Sequence, residues 1–166
     1  VMEHANGIPL YKVVPLEDSV AIVGECLAKF HQKNYELDGV YSPRIFGDFS
    51  IDHIYINSDV RVISTIDPGA NFMVIGNQLE DVARFLLSAT ETFRYHPFAS
   101  FRVIKAFVRG YLINKDIDFN DLKQVLDFRK ERSVAKYRLQ KSPVRARIGA
   151  IILNYNRLII WWALKC

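Results

Sequence analysis

Two acids in this chain stand where phosphoryl transfer needs carboxylates. Asp48 closes the run Ile45-Phe-Gly-Asp48, and Asp67 follows a second apolar run that begins at Val60. In such a reaction one carboxylate orients or deprotonates a hydroxyl, and the other holds the magnesium ion that neutralises phosphate charge. Between them, Ile54-Tyr-Ile-Asn57 and Val60-Arg-Val-Ile63 flank Ser58-Asp59, a pattern that predicts a tight β-hairpin. That hairpin would carry Asp48 and Asp67 toward one cleft. Taken singly, each is an ordinary turn acid, because Asp is common in turns. It is the pairing that points to chemistry.

The elements that must position these acids are mostly helices. Leu16, Val20, Val23, Leu27 and Phe30 recur at helical spacing and predict a core helix over residues 15–33, with Asp18 and Ser19 as capping candidates. His31 near its end reads as a partly buried, hydrogen-bonded histidine. Residues 34–42 contain Asp38-Gly39 and read as a loop. Leu79, Val82, Ala83, Leu86 and Leu87 predict a second helix over 77–93, and Phe101, Ile104, Val108 and Tyr111 a third over 98–113. A further helix starts at Asp118. A last one follows Ser142-Pro143 through Ile151, Tyr155, Leu158 and Trp162, with Asn154, Asn156 and Arg157 interrupting its apolar pattern. The fold class is therefore α+β, mainly helical, with a small β-hairpin at the Asp48 loop.

At 166 residues, half of them hydrophobic, the chain fits one domain with a substantial core. Its two cysteines, Cys26 and Cys166, have no metal-site spacing and make no disulfide framework. No disulfide partner is expected, and a reducing, cytoplasmic setting is the simplest inference. The net charge of +4 hides an asymmetry: residues 123–166 carry 11 Lys/Arg against 2 Asp/Glu, whereas the rest carries 11 against 16. A basic tail ahead of a Trp-containing amphipathic helix can be a solvated face, or it can lie on an anionic membrane surface.

The residues around Asp48 resemble the kinase-like phosphotransferases, above all the aminoglycoside phosphotransferase and choline kinase group. The catalytic loop of that family reads His-Gly-Asp-Phe/Leu-x-x-x-Asn and is followed, after a hairpin, by a metal-binding Asp. Gly47-Asp48-Phe49 matches the core of the loop and Asp67 the metal Asp, while Phe46 replaces the His and His53 stands in place of the magnesium-binding Asn. Leu27-Ala-Lys-Phe-His31 and Phe107-Val-Arg-Gly-Tyr111 are similar to other family segments, and Asp81 matches an Asp that supports the catalytic loop from below.

The resemblance implies the C-terminal lobe of a protein kinase-like fold over residues 11–166, with residues 1–10 as the hinge. In the hinge the Glu3 carbonyl and the Ala5 amide would face adenine. It implies ATP and Mg2+ as cofactors, a small-molecule alcohol as substrate, Asp48 as base, Asp67 as the principal magnesium ligand and His53 as a second. The smaller, phosphate-covering lobe would stand ahead of Val1, so the chain is expected to be an incomplete fragment, inactive by itself. Two alternatives stay open: a pseudokinase-like binding module, favoured by Phe46 and His53, and a basic helical protein contacting an anionic partner. That last alternative, with nucleic acid or an anionic membrane as the partner, explains the tail but not the paired acids; of the two partners nucleic acid is not expected, and a membrane surface contact by the basic tail stays open.

Overall fold

The computed structural model describes residues 7–14, 16–33, 35–37, 40–42, 45–57, 63–65, 76–139 and 143–165. Helix α1 (Leu16–Gln32) turns Val20, Val23, Leu27, Ala28 and His31 inward along one stripe, as a 3.6-residue period requires. Asp18 and Ser19 lie inside its first turn rather than ahead of it, so they do not cap it. Glu17 and Asp18 instead meet the positive end of the helix dipole.

Helix α2 (Leu79–Thr92) is followed by α3 (Pro97–Leu112), which opens on a proline at a position whose N–H has no intrahelical partner to lose. Helix α4 (Phe119–Leu139) is capped by Asp118, whose carboxylate accepts the N–H groups of Asn120 (2.8 Å) and Asp121 (3.1 Å). Helix α5 (Pro143–Lys165) closes the described chain. The most intimate pair is α1 with α3. They cross at two glycines, since a Cβ on Gly24 would fall on the Phe107 carbonyl and one on Gly110 on the Ala21 carbonyl. Behind this crossing, the rings of Phe85 and Phe107 stack at 3.9 Å and tie α2 to α3.

The β structure is small and lies on one side. Strand β1 (Ile8–Pro9) pairs antiparallel with β4 (Ile54–Ile56), which pairs on its other edge with β5 (Ile63–Thr65). Pro9 is admissible because β1 is an edge strand. The predicted hairpin therefore exists with a different register. A two-residue turn at Ser58-Asp59 would set Ile56 opposite Arg61, but Ile56 pairs with Ile63. The shift of two preserves which side chains share a face, so the alternating pattern cannot distinguish the two registers.

Residues 35–42, read from sequence as a loop, instead hold a second hairpin, β2 (Tyr35–Leu37) with β3 (Val40–Ser42). Leu37 pairs with Val40 across Asp38-Gly39, a dipeptide that favours a two-residue hairpin turn. Among the described residues the architecture is thus mainly helical with small antiparallel sheets, and no helix is long and apolar enough to cross a membrane.

Candidate functional site

One face of helix α2 carries a line of polar side chains. Asp81, Arg84, Ser88 and Thr92 stand at i, i+3, i+7 and i+11, so they fall on one face. Each reaches the loop of residues 46–52 in order. The carboxylate of Asp81 accepts the Phe46 N–H on Oδ2 (2.6 Å) and the Gly47 N–H on Oδ1 (2.8 Å). Arg84 Nε donates to Asp48 Oδ1 (2.5 Å), Ser88 Oγ accepts the Ile51 N–H (3.0 Å), and Thr92 Oγ1 donates to Asp52 (3.2 Å). The loop also bonds to itself, Ser50 N–H to the Asp48 carbonyl and His53 N–H to the Ser50 carbonyl. Gly47 has φ 82°, in the left-handed region that side chains disfavour, and this bend directs the next residue, Asp48, outward.

Asp81 is wholly buried, so its own partners matter. His31 Nε2 lies 3.1 Å from Asp81 Oδ2, and His31 Nδ1 lies 2.8 Å from the Tyr111 hydroxyl. Burial lowers the His31 pKa below its ordinary value, with Asp81 pulling the other way, and raises that of Tyr111. A neutral imidazole that donates Nε2–H to Asp81 and accepts the Tyr111 O–H on Nδ1 satisfies all three groups. Gln78 Nε2 donates to the His31 carbonyl (2.6 Å), fixing the end of α1 as well. The Asp48 loop is therefore supported through Asp81 by residues of α1 and α3.

At the loop's apex, Asp48 Oδ1 is taken by Arg84 while Oδ2 faces His53 Nδ1 at 3.8 Å. That separation is too long for a hydrogen bond, and His53 Nδ1 is a buried nitrogen with no partner among the described residues. Two of the residues expected at the site thus come together. Asp67, Glu3 and Ala5 lie outside the described residues. Among those described, no group of three or more His, Cys, Asp or Glu side chains converges. The donors present, one carboxylate oxygen and an orphaned imidazole nitrogen, could share a divalent ion, although imidazole suits magnesium less well than oxygen does.

Around the apex, Arg129 of α4 reaches Glu80 Oε2 (3.2 Å), one turn of α2 from Arg84. Burial draws the Arg129 pKa down, and Glu80 opposes this. The first arginine of the basic tail therefore borders the site. Phe46 packs on Phe30 (4.4 Å between ring centres) and Phe49 (5.2 Å), so an aromatic contact anchors the loop there. The polar line on α2 is the part sequence reasoning saw only at Asp81. Its signal was present, polar residues three and four apart along one face of an amphipathic helix.

Comparison with family models, curated proteins and solved structures gives no match. Any reading of function therefore rests on this chain's own residues and geometry.

Proposed function

We propose that this chain is the larger lobe of a kinase-like phosphotransferase of the aminoglycoside phosphotransferase and choline kinase type, moving a phosphoryl group from ATP to the hydroxyl of a small molecule. The observation that carries this reading is the clamp on the Asp48 loop. Three buried or half-buried side chains of α2 hold a glycine-bent loop at successive points, and Asp48 at its apex keeps an oxygen free of Arg84. Such rigidity suits a base that must meet a hydroxyl in line with a phosphate.

In this reading, Asp48 Oδ2 accepts the substrate's hydroxyl proton while Arg84 fixes the carboxylate plane through Oδ1. Asp67 and His53 would hold magnesium, which supplies charge neutralisation at the nucleotide phosphates. The Glu3 carbonyl and the Ala5 amide would meet adenine. The pairing of β1 with β4 directly after the loop supports this reading, because a hinge ahead of β1 would then run toward the ribbon beside Asp48.

The test joins the chain behind a Gly-rich, Lys-bearing lobe and follows phosphate transfer from Mg-ATP to a panel of alcohols by phosphorus NMR. Asp48→Asn is expected to lower turnover about 10²–10⁴-fold, the usual contribution of a positioned base. Unchanged turnover would remove Asp48 from that role. The position of His53 favours a second reading, a module that binds nucleotide without transferring phosphate. Calorimetry separates the two, because nucleotide binding indifferent to magnesium belongs to the binding module.

A further inference from the structure

Helices α3 and α5 build a surface that the site does not use. Ile151, Tyr155, Leu158 and Trp162 recur at i, i+4, i+7 and i+11 on α5, a stripe about 16 Å long at the helical rise. It faces outward: Ile151 is 67% exposed, Leu158 69% and Trp162 45%. The core contacts of α5 come from a different side, through Asn156, Ile159, Ile160 and Ala163. The stripe continues onto α3, where Phe98, 70% exposed, meets Trp162 edge-on at 5.9 Å, and Phe101 lies 4.3 Å from the same ring. A contiguous apolar patch of this kind is uncommon on a free surface and marks a contact.

Charge says what the contact is with. The two helices together carry seven Lys/Arg and no Asp/Glu. Arg102 and Arg157 already meet Glu17 and Asp127. Lys105, Arg109, Arg147 and Lys165 are exposed and have no ion-pair partner among the described residues. Below Lys105 and Arg109 runs an open groove of about 410 Å3, floored by Val108, Leu112, Ala163 and Leu164. A second copy of the chain does not suit this face, since a two-fold contact would set one net-positive surface against another. A nucleic acid would satisfy the cations and leave Ile151, Leu158 and Phe98 against phosphate and water.

We infer that the α3–α5 face docks on an anionic lipid bilayer, with the Ile151–Trp162 stripe and Phe98 entering the headgroup boundary and the four free cations meeting lipid phosphates. Aromatic residues beside aliphatic ones, flanked by Lys and Arg, form the composition that partitions there, and the α5 helix lies along the surface rather than across the bilayer. The contact is shared by α5 and by α3, which lies upstream of the basic tail that the sequence alone singled out. It is independent of the phosphotransferase reading and leaves the Asp48 loop on other elements.

Flotation of the full chain with extruded vesicles tests it, comparing phosphatidylcholine alone with a mixture holding about one-third phosphatidylserine, at low and high salt. Binding is expected with the anionic vesicles only and should fall as salt rises. The paired change Ile151→Asp with Leu158→Asp should reduce the floated fraction about tenfold or more, as should Lys105→Glu with Arg109→Glu. All four side chains are exposed, so circular dichroism should stay unchanged. No flotation at low salt overturns the proposal, and so does flotation that survives the apolar pair. A dimer broken by Leu158→Asp, or binding to a DNA duplex that the apolar pair leaves intact, assigns the face to another partner and overturns it as well.

Discussion

His31 holds Asp81 by staying neutral, and that has a signed consequence for stability. Burial lowers its folded pKa below 6.5, so between that lowered value and 6.5 the unfolded chain binds more protons than the folded one. The contribution is complete above pH 6.5 and is lost as pH falls from there through the lowered folded value. In urea titrations at stepped pH, the stability difference between wild type and His31→Gln should therefore shrink as pH drops below 6.5; a constant difference would mean that His31 is not held neutral. Tyr111→Phe should cost about 1–2 kcal/mol at neutral pH, because it strands the buried Nδ1 without a donor. Arg84 acts one step nearer the proposed chemistry. Arg84→Gln releases Oδ1 of Asp48 and should lower kcat of the fused enzyme about 10²-fold with little change in KM, as expected when a reacting group loses its direction. Arg84→Lys should restore part of the loss. An equal loss in both variants, or a change confined to KM, would put Arg84 in substrate binding instead.

Helices were legible at the level of elements because burial imposes a period of 3.6 on Leu, Val, Ile and Phe. The ends of α1, α2 and α3 fall within two residues of where that period places them. The β segments were less legible, since three-residue strands carry too few alternations to fix a register, and the turn rather than the strands identifies the Asp38-Gly39 hairpin. No period could announce the close crossing of α1 and α3, because Gly24 and Gly110 become interdependent only in space. Gly110→Ala adds one methyl where the Ala21 carbonyl already lies, so the helices must part. The expected cost is about 3 kcal/mol in urea unfolding, at the upper end for an overpacked core. Parting α1 from α3 also pulls His31 away from Tyr111, so the amides of Phe46 and Gly47 should exchange with deuterium faster in this variant. Protection unchanged at those two amides would show that the loop is held by α2 alone.

For the molecule as a whole, the candidate site is half legible. Asp48 and His53 were readable from a loop pattern and stand side by side, and Asp81, read from the start of α2, holds the amides of the same loop, whereas Glu3, Ala5 and Asp67 fall outside the described residues. The docking of α5 carries a further consequence that sequence could only hint at. Asn156 looked like a polar interruption of an apolar run, yet it is 1% exposed, and neither Oδ1 nor Nδ2 finds a partner among the described residues. Its neighbours Ile159, Ile160 and Ala163 are all buried, so α5 settles on the core with an amide trapped beneath it. A buried amide without hydrogen bonds opposes folding by about 1–3 kcal/mol, and a side chain of similar volume removes that opposition. Asn156→Leu should therefore stabilise the chain by about 2 kcal/mol, a rise of about 4–8 °C in Tm for a domain of this size. Asn156→Ala should stabilise less, because it leaves part of the volume empty. The lipid-facing stripe lies on another side of α5, so vesicle flotation should be the same for Asn156→Leu as for wild type. A lower Tm in Asn156→Leu would show that the amide is satisfied in the folded chain and helps to fix where α5 sits.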